Sequence, residues 1–380
     1  MAPHRKPEEI PPATLVTARE HLEEIAAELR HEPRIAIDTE SNGFYAYQER
    51  VCLVQITSSR EDIVIDPIAF KDLSSLGPIM ADPAIEKVFH AGEYDILCLK
   101  RDYDFAFANL FDTMIASRLL GAKELGLAAL IARHFGVTLS KKLQRADWGQ
   151  RPLTEEHLRY AQMDTHYLFA LSDILKSQLK EKKRQDDAVE AFARLAAIQP
   201  SVKVFDPDGF WKIKGRHKLT SRQVAVLKEL YLLREQRSQS MDRAPFRVMP
   251  EMLLLRLAEE TPGSMDTLSR LRGMTPYLLR RFGHAVLAAI SHGQAAEPPV
   301  EPPRGGHRSS HRERRLFEDL RQWRKLQAGL EGVEPVVVLE TEALRKLSRA
   351  ADGSDPLTFL SDLKRQRYGD ALRNLLRPKT

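Results

Sequence analysis

The sequence predicts an α/β domain with a mixed sheet, followed by two all-helical modules. Within the first 200 residues, strand-like runs come first and then alternate with helical segments, which is typical of a mixed α/β sheet. Beyond residue 200 the apolar periodicity is helical, with no convincing strand. We therefore expect an α/β domain at residues 1–210, a helical module at 211–293, a Pro/Gly-rich linker at 294–310 and a second helical module at 311–380.

The first predicted elements are one helix and three strands. Residues 14–30 have the apolar spacing of an amphipathic helix. Strand-like runs follow at residues 34–40, 50–58 and 62–67, and the SSRE stretch that joins the last two predicts a hairpin turn.

Strands and helices are predicted to alternate from there to residue 200. A helix is expected near residues 71–81, and EKVFHA predicts a buried strand that leads into the helix GEYDILCLKRDY. NLFDT predicts a short strand before the helix TMIASRLLG, which Gly121 would end, and LGLAALIARHFG predicts a further helix. Thr154 is a good N-cap for a last helix that extends to about residue 183.

The helical half contains an imperfect internal repeat. Residues 219–291 predict four or five short amphipathic helices, and residues 311–378 predict another helical set. In each set, a helix with basic residues leads to a proline-containing loop and then to a leucine-rich helix. This similarity predicts a duplicated module.

Charge and composition restrict the functional classes. Residues 1–200 contain 25 basic and 31 acidic residues, whereas residues 201–380 contain 33 and 22. An acidic half can hold metal ions, and a basic half can hold a polyanion. No apolar run reaches the roughly 18 residues that a membrane span needs, and no signal-peptide core is present at the N-terminus. We therefore expect a cytoplasmic protein with no membrane partner.

Two acids stand at the end of the strand RIAIDTE. Residues two apart in a strand face the same side, so Asp38 and Glu40 are expected to lie together. Two neighbouring acids that lose solvation cost several kcal/mol unless a cation offsets them. A strand end that reaches water would also explain the pair. A lone Asp-x-Glu motif does not decide between a bound cation and a solvated strand end.

Further acids in the chain favour a cation site over a solvated strand end. Asp95 lies one turn into a helix after the tight turn His90-Ala91-Gly92, and Tyr160 and Asp164 share a helical face at spacing i, i+4. Four carboxylates suit two hard divalent cations, which prefer oxygen ligands and can together clamp a scissile phosphate. A tyrosine hydroxyl one turn before the last acid could orient the attacking water.

The motifs IDTES, FHAGEYDIL and YAQMD, with DWGQRPLTEEHLRYAQMD, resemble the ribonuclease D family of DEDDy 3′-to-5′ exonucleases. The resemblance covers about residues 14–200 and implies a ribonuclease-H-like (DnaQ-like) fold. It implies that Asp38, Glu40, Asp95 and Asp164 bind two Mg²⁺ or Mn²⁺ ions and that Tyr160 positions the water. It also implies a monomer that trims structured RNA, such as tRNA precursors, from the 3′ end and releases nucleoside 5′-monophosphates.

The helical modules resemble HRDC domains. Residues 217–293 match this pattern well and residues 311–378 match it more weakly, which implies a first HRDC domain and a second HRDC-like domain. Two such modules after a nuclease are a ribonuclease D arrangement. The absence of a GxxxxGK[ST] phosphate loop also argues against a helicase.

Several residues outside the acidic set are candidates for contact with the substrate. The sequence departs from many bacterial ribonucleases D at Ser41, where an aromatic residue is common, so nearby aromatic residues would have to supply base stacking. His90 and Asp112 have structural alternatives, as a satisfied histidine and as a helix cap, and the basic loop before Tyr160 could simply be solvated. The predicted substrate-binding residues are Phe44, Tyr45, His90, Asp112, Lys142, Arg145, Trp148 and Arg151.

Two other functions stay open from the sequence. The same four acids serve proofreading DNA exonucleases, so a DNA substrate is an alternative to RNA. A noncatalytic RNA-binding subunit that kept the fold is a second alternative, and the intact acids and Tyr160 argue against it.

Overall fold

The structure, a computed structural model, describes residues 9–201, 204–303, 310–349 and 355–377. The chain forms two compact units. The first contains the described residues of 1–40, 51–200 and 307–380, and the second contains those of 41–50 and 201–306. The predicted domain boundaries at residues 210, 293 and 310 stay predictions, and residues 304–309 of the predicted linker lie outside the described residues.

A six-stranded mixed sheet forms the core of the first unit, so the predicted fold class is confirmed. The strand order is β1-β4-β3-β2-β5-β6. β3 and β4 pair antiparallel through the predicted hairpin, whereas β1 with β4, β2 with β5, and β5 with β6 pair parallel. The strands are β1 (Thr14–Val16), β2 (Arg34–Ser41), β3 (Val51–Thr57), β4 (Asp62–Ile65), β5 (Glu86–Phe89) and β6 (Leu110–Asp112).

Helices surround this sheet and differ from the prediction at several places, among them residues 14–16, Tyr167 and the helix Gln185–Ala197, which was not predicted. Residues 14–16 form β1 on the edge of β4, and the first helix begins only at Arg19. The long helix expected from Thr154 to residue 183 is divided at Tyr167, which is buried and stacks on Phe135. The helices are α1 (Arg19–Leu29), α2 (Pro67–Phe70), α3 (Gly77–Ala81), α4 (Glu93–Tyr103), α5 (Thr113–Leu119), α6 (Leu127–Phe135), α7 (Glu155–His166), α8 (Leu168–Glu181) and α9 (Gln185–Ala197).

The helices of the second unit have their own apolar core. Leu227 and Leu230 belong to one buried cluster with Leu254, Leu257 and Val286. Two of the five helices are 20 residues long, so they are longer than the sequence predicted. The helices are α10 (Ser221–Ser240), α11 (Pro245–Val248), α12 (Glu251–Glu260), α13 (Met265–Ser269) and α14 (Pro276–Ala295).

The C-terminal helices repeat the pattern of the second unit. Both sets have a four-residue helix that begins with proline, at Pro245 and at Pro335. In the second set, Nη1 of Arg324 donates to the carbonyl of Leu339 at 2.9 Å, and Arg234 has the equivalent contact with Met249 at 3.5 Å. The helices are α15 (His311–Glu331), α16 (Pro335–Val338), α17 (Thr341–Arg349) and α18 (Asp362–Leu376).

The C-terminal helices are attached to α9 by a buried charge network. Asp187 of α9 is buried and accepts two hydrogen bonds of 2.8 Å from Arg367 of α18, and Lys364 lies 3.6 Å away. Arg184 contacts both Asp187 and Glu331. These helices belong to the same compact unit as the sheet. Removal of one partner from this network would leave a buried charge uncompensated. Among the described residues, no helix combines the length and apolarity that a bilayer crossing requires.

Candidate active site

Three acids of the first unit meet beside the sheet. β2 carries Asp38 and Glu40 near its end, and α7 carries Asp164. One carboxylate oxygen from each of these three residues lies within 4.8 Å of the other two, within the part of the chain that the structure describes. The structure therefore brings together three of the four predicted acids, although they come from segments more than 120 residues apart in sequence.

Asp95 reaches the same strand from α4. Its Oδ1 accepts hydrogen bonds from the backbone N–H of Thr39 at 3.0 Å and from the Thr39 hydroxyl at 2.5 Å. Asp95 is not among the three residues whose ligand atoms cluster. Its charge nevertheless acts on them, because it raises the pKa of Asp38 and of Asp164.

The turn before α4 fixes the position of Asp95. Ala91 has a φ of 58°, and a Cβ added to Gly92 would lie 2.6 Å from the Cβ of Phe89, so glycine is required there. Asp112 accepts hydrogen bonds of 2.8 Å from the N–H of Gly92 and from the N–H of Ile115. Asp112 thus caps α5 and also holds the turn, which favours a structural role over the predicted substrate contact.

His90 also faces the interior of this turn. Its Nδ1 lies 2.8 Å from the hydroxyl of Thr113, which itself donates to the carbonyl of Phe89 at 3.0 Å. Burial lowers the pKa of His90 to about 4, so the imidazole is neutral at physiological pH. This geometry gives His90 a structural partner, and its predicted role in substrate binding stays a prediction.

Tyr160 lies one turn before Asp164 on α7. The helix begins where predicted, because the Thr154 side chain accepts a hydrogen bond from the N–H of His157. Burial, and then the charges of Asp164 and Glu40, raise the pKa of Tyr160 above its usual value. The hydroxyl therefore stays protonated across the physiological range and is available as a hydrogen-bond donor.

The indole of Trp148 packs against Tyr160. The two ring centroids are 5.8 Å apart, and His157 contacts the indole edge-on at 5.4 Å. Because only 1% of Trp148 is exposed, no face of the ring is open to a nucleotide. The predicted substrate contact of Trp148 is therefore corrected to a packing role beneath Tyr160.

Arg151 holds the loop that carries Trp148. Its guanidinium makes two hydrogen bonds of 2.6 Å to the carboxylate of Asp66, and it donates to the carbonyls of Trp148 at 2.8 Å and Cys52 at 3.0 Å. These bonds use all three guanidinium nitrogens. They favour a structural role for Arg151 over the predicted contact with phosphate.

The other predicted substrate residues are more accessible. Lys142 is exposed and forms a surface ion pair with Glu156 at 2.9 Å, and Arg145 is exposed. Phe44 and Tyr45 belong to the second unit, where the Tyr45 ring lies 3.7 Å from the guanidinium carbon of Arg247. Their roles in substrate binding stay predictions.

The raised pKa values of the clustered carboxyl groups indicate a site that favours cations. Burial raises the pKa of Glu40 to about 9, with further contributions from Asp164 and Asp95. Burial and then Asp95 raise the pKa of Asp164 to about 7, and burial raises that of Asp38 well above its usual value. Ionising these acids together is costly unless positive charge enters the site. A donor set of carboxylate oxygens fits Mg²⁺ or Mn²⁺.

A cavity of about 240 Å³ adjoins the cluster and includes Tyr160 and Asp164 in its lining. Leu139, Leu143 and Met163 make part of its wall apolar. Sequence reasoning did not identify these three residues. Met163 is adjacent to Asp164 in the predicted motif, but Leu139 and Leu143 come from a loop whose path is not set by local periodicity.

Comparisons with known proteins agree with this geometry. A protein-family model described as a 3′-5′ exonuclease matches residues 13–180, and the family model of the HRDC domain matches residues 223–290. The catalytic core of RRP6 from Trypanosoma brucei has a TM-score of 0.70 and 30% identity, covering 77% of this chain and 82% of that one. Escherichia coli RNase D has a TM-score of 0.67 and 25% identity, covering 96% of this chain and 98% of that one.

The chain belongs to the ribonuclease D and RRP6 family of 3′-5′ exonucleases. The resemblance seen in the sequence motifs is therefore confirmed. A curated member, the exosome complex component 10 homolog of Caenorhabditis elegans, is 34% identical over 283 residues, which is 73% of this chain and 32% of that protein. This family member spans about a third to a half of the length of such curated relatives.

Proposed function

We propose that this ribonuclease D family member is a metal-dependent 3′-to-5′ exoribonuclease that releases nucleoside 5′-monophosphates. The observation that carries the proposal is the cluster of Asp38, Glu40 and Asp164 beside the hydroxyl-bearing Tyr160. Asp95 stands within electrostatic reach of the cluster. All five residues that the DEDDy pattern requires are thus present in one region of the first unit.

The mechanism assigns a separate task to each side chain. Asp38, Glu40 and Asp164, with Asp95, would hold two divalent cations. When bound, such cations supply charge that stabilises the scissile phosphate and lowers the pKa of the attacking water. Tyr160, whose raised pKa keeps it protonated, would donate a hydrogen bond that orients the water. Trp148 packs behind Tyr160 and limits the movement of its ring.

RNA is proposed as the substrate because of the relatives. Escherichia coli RNase D is described as an exoribonuclease involved in structured RNA processing, and other relatives are exosome components. We extend this to structured RNA in this chain, with tRNA precursors as the leading class. A monomeric state and a cytoplasmic setting are part of the same proposal.

The test compares RNA and DNA oligomers of one sequence, labelled at the 3′ end or at the 5′ end, in Mg²⁺, Mn²⁺ or EDTA. We expect immediate release of the 3′ label as a 5′-mononucleotide from RNA with metal, and no release in EDTA. Asp38→Asn, which preserves side-chain shape, should abolish release. Preferential degradation of DNA would support the DNA exonuclease instead. Binding without any metal-dependent degradation would support a noncatalytic RNA-binding subunit.

A further inference from the structure

Two exposed aromatic rings and an arginine form a patch on the second unit. Phe44 is 57% exposed and Phe246 is 50% exposed, although both are large apolar side chains. Arg247 follows Phe246 on α11, and its guanidinium lies over the Tyr45 ring with 3.7 Å between the guanidinium carbon and the ring centroid. We call Phe44, Tyr45, Phe246 and Arg247 the aromatic patch.

Hydrogen bonds join the two chain segments that form the aromatic patch. Nε of Arg247 donates to the carbonyl of Phe44 at 2.5 Å, and the N–H of Ala244 donates to the carbonyl of Tyr45 at 2.9 Å. Oδ1 of Asp242 accepts from the N–H of Tyr47 at 3.1 Å and from that of Gln48 at 3.2 Å. These bonds fix the backbone on both sides of the patch, so its rings are presented in a defined arrangement.

Two acids of the second unit accept hydrogen bonds from Tyr47 and Gln48, which lie just after Phe44 and Tyr45 in the chain. Asp242 accepts the two backbone bonds, and Glu235 accepts a hydrogen bond from the hydroxyl of Tyr47. Arg247 is exposed and contributes positive charge beside the two phenyl rings. Residues 41–50 and 201–306, which make up the second unit, contain 18 basic and 12 acidic residues, so the unit as a whole also favours a polyanion.

Exposed aromatic rings combined with arginine are the means by which proteins bind single-stranded nucleic acid without strong sequence preference. Bases stack on the rings, and the arginine contacts the phosphate backbone. Phe44 follows Glu40 by only four residues in the chain, which links the patch in sequence to the strand of the acidic cluster. We propose that the aromatic patch binds a single-stranded segment of RNA, with bases stacked on Phe44 and Phe246 and a phosphate held by Arg247. The identity of the nucleic acid rests on the proposed function.

The test measures equilibrium binding of a 5′-fluorescein oligouridylate 12-mer to the full chain in EDTA, where hydrolysis is prevented. Phe246→Leu and Phe44→Leu remove a ring but keep an apolar side chain, and each should raise Kd about fivefold or more. Phe246→Trp keeps a stacking surface and should bind within about twofold of the wild type. Met252→Ala, another exposed apolar residue of the same unit, is the matched control and should also stay within about twofold.

Salt dependence tests the role of Arg247 separately. Arg247→Gln should reduce the slope of log K against log salt by about 0.7, the value for one phosphate contact on a single strand. Circular dichroism melts of each variant show whether a loss of binding reflects unfolding. Normal binding by both leucine variants, or an equal loss in the tryptophan variant, would overturn the proposal.

The outcome is distinguishable from failure of the proposed function. If the chain binds RNA through these rings but releases no nucleotide in Mg²⁺, the exonuclease proposal is refuted and the proposal for the aromatic patch stands. If the wild type releases nucleotides and both leucine variants bind RNA normally, only the proposal for the aromatic patch is refuted.

Discussion

Asp164→Asn should stabilise the metal-free protein while it abolishes activity. Burial and the charge of Asp95 raise the pKa of Asp164 from 3.8 to about 7. Between these two values the folded state binds more protons than the unfolded state, so stability falls as pH rises through this window. The asparagine side chain has nearly the same shape and carries no charge. The variant therefore does not lose folding stability at this position as the pH rises.

The magnitude follows from the pKa difference. At pH 8 the carboxylate is ionised in both states, and a shift of about three pH units corresponds to about 4 kcal/mol. At pH 5 the folded group is mostly protonated, and the loss of folding stability is smaller, about 2 kcal/mol. Asp164→Asn should therefore raise the free energy of unfolding in EDTA by a few kcal/mol at pH 8 and by clearly less at pH 5.

Urea denaturation in EDTA at pH 5 and pH 8 measures this difference. Glu24→Gln, which removes an exposed acid from α1, is the control and should change stability by less than about 0.5 kcal/mol at either pH. Saturating Mg²⁺ should stabilise the wild type by about 3 kcal/mol at a hundredfold excess over Kd, and should stabilise Asp164→Asn much less. An Asp164→Asn effect that is the same at both pH values would refute the electrostatic reasoning.

Three further changes test other parts of the site. Tyr160→Phe should lower kcat at least about tenfold while Mg²⁺ still raises the melting temperature, and unchanged kcat would remove the tyrosine from the mechanism. Gly92→Ala should destabilise the protein by about 1–3 kcal/mol in urea, because its Cβ would lie 2.6 Å from that of Phe89, and wild-type stability would contradict the packing described for this turn. Arg151→Ala leaves the buried carboxylate of Asp66 without its guanidinium partner and should lower the free energy of unfolding by about 3–5 kcal/mol. A decrease of less than about 1 kcal/mol would show that the loop does not depend on this ion pair.

Local patterns predicted much of the first unit. The apolar runs identified five of the six strands, because buried strands require continuous apolar residues. Thr154 was recognisable as an N-cap from its own chemistry, and the i, i+4 spacing placed Tyr160 and Asp164 on one face of α7. The motifs then indicated that Asp38 and Glu40 belong with these residues.

Features that depend on distant contacts were not predictable in this way. β1 has only three residues and exists because it pairs with β4, which lies almost 50 residues later. Arg151 appeared to be a free cation because its partner, Asp66, is 85 residues away in sequence. The segment 41–50 begins at the last residue of β2, yet it belongs to the second unit and forms hydrogen bonds with α10 and α11. No local periodicity reports such contacts.

The central claim is that acids from β2, α4 and α7 bind divalent cations together. Calorimetric titration of Mn²⁺ into chelator-treated full-length protein tests it directly. We expect saturable binding of two ions per chain at pH 8, with proton release, and loss of at least one site in Asp38→Asn. Absence of saturable binding in the wild type, or unchanged binding in Asp38→Asn, would contradict it.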